Sequence, residues 1–213
     1  LRAQNFRGNL IAEALDVILA EHGTLTLRDV LSPAIAYASK GFAVVPALER
    51  ALAGSAELFA THWPTSAATY LPRGSAPLAG ELMRLPALAA TYTRLLKEAE
   101  SAGGDRVAQI EAARRCFYAG FVAEAIDDFC RASQWPDGSG AVHGGLLTGD
   151  DMARWQATVE TPASFDYAGL TVLKCPAWSQ GPIFLQQLAM LEGTQIARCD
   201  PLGPEFAHLQ VEA

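Results

Sequence analysis

The sequence has no long apolar run, no surplus of basic charge and no clustered metal ligands, and each absence removes a class of function. No stretch approaches the roughly 18 to 20 apolar residues needed to cross a bilayer. The best candidate, Leu10 to Glu21, is broken by charges. The formal net charge is −7, so no nucleic-acid partner is expected, because such a binder needs a basic face against phosphates. Adsorption to an anionic membrane surface is disfavoured for the same reason. Cys116, Cys130, Cys175 and Cys199 include no C-x-x-C pair, so free, partly buried thiols are expected rather than a zinc or redox site. His22, His62, His143 and His208 lie far apart, with neither H-x-x-x-H nor H-E-x-x-H spacing, and no metal site is expected. Nothing in the pattern asks for a cofactor. The chain opens at Leu1 with neither an initiator Met nor an apolar signal segment, so a processed, cut or incomplete start is expected.

What is present is the composition of a folded protein. Half of the 213 residues are apolar and 18% are charged, enough for one large domain or two small ones with a real core. The first two thirds read as helices. Leu10, Ile11, Ala14, Leu15, Ile18 and Leu19 recur at three- and four-residue spacing, and this helix stops at His22-Gly23. Thr26 is the expected N-cap of a second helix ending at Lys40-Gly41. Pro33 inside it allows a restart with Ser32 as cap and Pro33 at the first position. A third helix is expected over about Pro46 to Phe59. It precedes a loop punctuated by Trp63-Pro64, Leu71-Pro72, Arg73-Gly74 and Pro77. Further helices are expected over about 86–101, 105–119 and 121–132, the last two hinged at Gly120.

The texture then changes. Residues 133–149 carry Gly, Ser and Pro as a loop would, and a helical turn follows at about 150–155 with Asp150 as its N-cap. From about Ala157 to Lys174 apolar and polar residues alternate around Tyr167-Ala168-Gly169, which reads as a β-hairpin. A loop, Cys175 to Gly181, leads into a helix over about 182–191, and a last helix begins near Glu205. The expected division is a helical region, 1–133, and a region of loop, hairpin and helices, 134–213. Two strands alone bury too little to stand by themselves, so the hairpin is expected to join strands of a larger sheet.

Three segments carry a family resemblance. His22-Gly23-Thr24-Leu25 followed by Leu31-Ser-Pro-Ala-Ile35, Ala38 and Gly41-Phe42 is similar to a "YG-x-L … LL-x-PAI-x-LA-x-x-GF" run, with His22 in place of Tyr. Phe117-Tyr-Ala-Gly120, Ala125-Ile126 and Gly144-Gly-Leu-Leu-Thr148-x-x-Asp151-Met-Ala153 resemble "FY-x-G … GG-x-LT-x-x-DLA". Cys175-Pro-Ala-Trp-Ser-Gln-Gly-Pro182, leading into Leu188 and Leu191-Glu-Gly193, resembles a loop that reads "PPSSGG" in well-known members. In this order the segments resemble the large subunit of γ-glutamyltranspeptidases and related acylases.

That resemblance implies a mainly α chain with a small β-element at about 157–174, forming part of the large subunit of an αββα N-terminal-nucleophile hydrolase. It implies autoprocessing of a precursor and a Thr nucleophile at the start of a small subunit, C-terminal to this chain. The Arg that holds the substrate α-carboxylate would lie N-terminal to Leu1. The implied partners are that small catalytic subunit and a small-molecule γ-glutamyl or acyl-amide substrate such as a glutathione-type compound. A homo-oligomer is compatible with the pattern. The reaction implied is hydrolysis or transfer of a γ-glutamyl group. Two other readings stay open: a cephalosporin-acylase-like enzyme for a bulkier acyl group, suggested by Trp178, and a non-catalytic helical interaction module.

No residue of this chain is expected to be the nucleophile. Ser179 sits in a tight loop without a G-x-S-x-G elbow, which leaves hydrogen bonding near the cleft or plain loop packing. Trp178, Ser179, Gln180 and Gly181 are the substrate-cleft candidates, with Trp178 as a plug between helical layer and sheet the competing reading. Asp127-Asp128 and Asp150-Asp151 are adjacent carboxylates pointing about 100° apart on a helix, so they are not expected to act as an acid–base pair. Gly144-Gly145 reads as a turn rather than a phosphate loop, and His22 as a helix C-terminal residue favoured by the dipole.

Overall fold

A computed structural model describes residues 16–213. The chain divides into two compact units, residues 1–157 and 158–213, and the part of the first expected helix before residue 16 lies outside the described residues. In the first unit, residues 16–22 (α1) are helical and end where the Gly23 N–H meets the Ile18 and Leu19 carbonyls. Thr26 then caps α2 (Leu27–Lys40) in a capping box: its hydroxyl accepts from the Asp29 N–H while Asp29 accepts from the Thr26 N–H. The helix passes through Pro33 without restarting. Capping at Thr26 and packing of Leu27, Leu31 and Ile35 on the core outweigh the one backbone bond that proline removes.

Phe42–Ala43 (β1) pairs antiparallel with Leu82–Met83 (β2). Between them lie α3 (Pro46–His62) and α4 (Pro64–Tyr70). The α4 helix corrects the expectation of a continuous loop after Trp63. Pro64 stands at a helix's first turn, where its missing N–H costs nothing, and Tyr70 packs on Phe59. Val44, Leu52 and Met83 form the local core here.

Next come α5 (Pro86–Ser101), α6 (Arg106–Tyr118) and α7 (Phe121–Ala132). The main core joins Leu27 of α2 with Leu95, Leu96 and Ala99 of α5 and Ile110, Ala112 and Ala113 of α6. A fully buried Leu or Ile contributes about 1.5 to 3 kcal/mol, and among the described residues this three-helix contact is the largest buried cluster. Arg106 ties α1 to it by donating to the Leu19 and Ala20 carbonyls at 2.7 and 2.9 Å.

Residues 133–149 are not all loop. Gln134–Pro136 (β3) and Val142–Gly144 (β4) form an antiparallel hairpin, with Trp135 opposite His143. The Trp63 indole N–H donates to the Pro136 carbonyl at 3.0 Å and pins the hairpin. The following helix, α8 (Gly149–Arg154), is capped by Thr148 and not by Asp150: Thr148 and Asp151 form a second capping box. Asp150 therefore lies inside the first turn. Met152 of α8 is buried with Tyr118 and Ala123.

In the second unit, Ala163–Tyr167 (β5) and Leu170–Lys174 (β6) pair antiparallel, with Phe165 opposite Val172. Residues 157–162, expected to start the hairpin, are not in strand. The turn is Ala168-Gly169, with φ of 50° and 81°. Two successive positive φ values make the tight turn whose twist suits a two-residue hairpin. α9 (Gly181–Glu192) packs on both strands with Leu185 buried. A 3₁₀ turn at Ile196–Arg198 and α10 (Pro204–Glu212) complete the described chain. The fold is mainly α with small strand pairs, as the sequence indicates.

Candidate functional site

Strand β6 runs out at Lys174, and after six intervening residues the chain enters α9 at Gly181. This strand–loop–helix corner is where enzymes commonly build sites, because a loop held at both ends can present side chains and backbone N–H groups. Ser179 holds the loop. Its hydroxyl lies 3.0 Å from the Cys175 carbonyl and 2.9 Å from the Pro176 carbonyl, and it accepts from the Gly181 N–H at 2.9 Å. Its own N–H donates to the Pro176 carbonyl at 3.0 Å. Among the described residues no imidazole or amine nitrogen bonds the hydroxyl, so none of them activates it as a nucleophile. Ser179 shapes the loop.

Gly181 is buried at the first position of α9. A Cβ there would collide with the Cys175 carbonyl oxygen and come within 2.9 Å of Lys174 Cβ. The loop folds back so tightly on its own strand that no side chain fits. Gln180 is exposed, and its carbonyl accepts the Phe184 N–H, the first bond of the helix. Trp178 is 70% exposed and its indole N–H donates to Glu160 Oε2 at 2.6 Å. A side chain this open plugs nothing within the described chain. The four candidates therefore stand together, but in different roles: Ser179 and Gly181 set the backbone, while Trp178 and Gln180 face solvent.

The carboxylate pairs are structural. Asp127 is bound by Arg131 and by the Gly149 N–H, and the Arg131 bond holds its carboxyl below the usual range. Asp151 is lowered first by the Thr148 hydroxyl and then by the Thr148 N–H. Neither is poised near neutrality, as a general acid or base should be. Among the described residues no group of three His, Cys, Asp or Glu side chains could hold a metal ion. All four cysteines are free, with Cys175 exposed, and burial pushes the Cys116 thiol up.

One constellation escaped sequence reasoning. On the β3–β4 hairpin, Asp137 accepts from Ser139 Oγ at 2.5 Å and contacts His143 Nδ1 at 2.9 Å. These are the residue types of a hydrolytic triad in the wrong order. The carboxylate sits between hydroxyl and imidazole, so the imidazole cannot take the serine proton. The Ser139 hydroxyl, followed by His143, holds the Asp137 carboxyl far below its usual range. The cluster fastens the hairpin turn. The i, i+2, i+6 spacing was visible in the sequence, but the spacing alone does not fix the order of the bonds.

Three comparisons bear on this arrangement. A glutathione hydrolase-like proenzyme of Bacillus subtilis is 30% identical over 203 residues, which is 95% of this chain and 34% of that protein. The solved structure of LmbA2991T421A superposes with a TM-score of 0.86 at 46% identity, covering 93% of this chain and 33% of that one. A cephalosporin acylase from Bacillus halodurans superposes with a TM-score of 0.74 at 26% identity, covering 94% and 34%. The chain thus spans about a third of the length of each. The sequence profile of gamma-glutamyltranspeptidase matches residues 11–213. Because that match spans the helical unit, the hairpin and the Ser179 loop, the chain belongs to the γ-glutamyltranspeptidase family.

Proposed function

We propose that this chain is the part of a large subunit that backs the substrate cleft of an amide hydrolase or acyltransferase acting on γ-glutamyl compounds. The observation that carries this reading is the family match continuing through residues 175–193, where Ser179 bonds the β6–α9 loop to itself and Gly181 allows its close return on β6. The chemistry is that of the family. A Thr hydroxyl at the start of the small subunit attacks the amide carbonyl, with its own α-amine as base. The amine product leaves with the proton, and the resulting acyl-enzyme gives its acyl group to water or to an acceptor amine. Backbone N–H groups stabilise the oxyanion. This chain supplies the wall and the loop, and the small subunit of the same precursor is its partner. Residues 134–213 would join the sheet of that parent protein, giving the β5–β6 hairpin the neighbours that a lone pair of strands lacks.

The parent protein should release p-nitroaniline from γ-glutamyl-p-nitroanilide, and these 213 residues alone should not. Turnover by the isolated chain after purification to homogeneity would place the nucleophile within it and overturn the assignment. An acylase reading is favoured by one observation, the exposed Trp178 in place of the small residues of the "PPSSGG" loop. It predicts that the parent prefers a cephalosporin carrying a bulky acyl side chain over the γ-glutamyl anilide.

A further inference from the structure

Trp178 is the only exposed tryptophan of the four; Trp63, Trp135 and Trp155 are half-buried. An exposed indole ordinarily turns freely about two side-chain torsions on the picosecond-to-nanosecond scale. Here a carboxylate eighteen residues earlier catches it. Glu160 Oε2 accepts the indole N–H at 2.6 Å, and Glu160 Oε1 lies 3.3 Å from the Thr158 hydroxyl. The backbone that carries Trp178 is itself fixed by the Ser179 hydroxyl on the Cys175 and Pro176 carbonyls. One end of the indole is held by backbone and the other by Glu160. From this juxtaposition we infer that Glu160 is a positioning residue: it orients the Trp178 ring as a flat apolar wall that selects the acyl group of the substrate. The inference rests on the proposal that the 175–181 loop lines the substrate cleft.

An apolar wall discriminates by contact area, and it can do so only if the ring stays in one place. A single methylene of fit in such a pocket changes kcat/KM by about 10- to 200-fold. A ring free to swing away loses most of that. Glu160 does not touch the reacting amide in this reading and carries no proton to it. Its effect appears in the ratio between acyl groups rather than in the chemistry common to both.

The test uses the intact parent enzyme and two anilides, γ-glutamyl-p-nitroanilide and phenylacetyl-p-nitroanilide, with the ratio of their kcat/KM values as readout. Trp178→Ala should shift that ratio by about 10-fold or more. Glu160→Ala should shift it in the same direction. Glu160→Gln, whose amide oxygen still accepts the indole N–H, should stay within about 2-fold of wild type. The double variant should match Trp178→Ala alone, since Glu160 then has nothing to hold. If Trp178→Ala moves the ratio while Glu160→Ala leaves it at the wild-type value, or Gln fails to rescue, the positioning role is wrong and the cleft reading stands. If Trp178→Ala leaves the ratio unchanged, the loop does not line the cleft and both fall. A lower Tm in Glu160→Ala with an unchanged ratio also overturns the proposal.

Discussion

Replacing Gly181 by alanine adds one methyl group at the point where the β6–α9 loop is most crowded. The backbone there needs no left-handed angle, so glycine is present for space alone. The new Cβ would press on the Cys175 carbonyl oxygen, lie 2.9 Å from Lys174 Cβ and sit 3.0 Å from Ser179 Oγ. None of these is the free end of a long side chain, so relief requires the loop to open. Inserting a methyl group into such a site costs about 1 to 3 kcal/mol. Opening the loop also breaks the bond between the Gly181 N–H and Ser179, which places the cost in the upper half of that range. The control is Gly193→Ala. Gly193 has φ of −81° and nothing within 4 Å of the added atom, so alanine there should be neutral or stabilise by up to about 1 kcal/mol. Urea unfolding of the parent protein, followed by circular dichroism, compares the two midpoints. Because the loop backs the proposed cleft, Gly181→Ala should also lower kcat/KM for the γ-glutamyl anilide, by about 100-fold if the displacement reaches 1 Å. A Gly181→Ala midpoint equal to wild type, or one matched by Gly193→Ala, would show that the close approach is not real and refute the account of the loop.

Three further outcomes follow from the geometry. Arg106→Ala removes two charged donors from the Leu19 and Ala20 carbonyls and should cost about 1.5 to 3 kcal/mol. The loss should appear as faster hydrogen exchange in residues 16–22. Thr148→Ala removes the cap of α8 and should cost about 1 kcal/mol at neutral pH. The Thr148 bonds also lower the Asp151 carboxyl, so its contribution is present above the unfolded value near pH ~4 and is lost as pH falls through the lower folded value. An acid-unfolding curve should therefore be shallower in Thr148→Ala, and an unchanged curve would remove Asp151 from the account. Ala168→Asn places a residue that tolerates positive φ where alanine now sits at 50°. It should stabilise the hairpin by about 0.5 to 1 kcal/mol, and a lower Tm would show that the turn is of another type.

The helices were legible because their ends are chemically marked. Pro86 opens α5 and Gly103-Gly104 follow it; Thr26 opens α2 and Gly41 closes it. The pieces that escaped are those whose length leaves no period. Two-residue β1 and β2 and three-residue β3 and β4 are too short for alternation to register. The α4 helix escaped because its proline was read as punctuation when it stood at a helix start. Asp150 and Thr148 both suit an N-cap by type, and only the hydrogen bond to Asp151 decides between them. The bounds of the candidate loop, 175–181, could be read from composition and resemblance. The hold of Glu160 on Trp178 could not, since it links residues eighteen apart across the β5–β6 hairpin.

Arg106 grips α1 through main-chain oxygens, which every residue possesses. The anchor therefore reads a place along the chain and is blind to which side chains stand at 19 and 20. In a saturation-mutagenesis screen, position 106 should accept almost nothing. Positions 19 and 20 should be filtered only by how well each replacement fills space against the core they touch. Relatives of this chain can then drift in sequence at the end of α1 while keeping it docked in the same place.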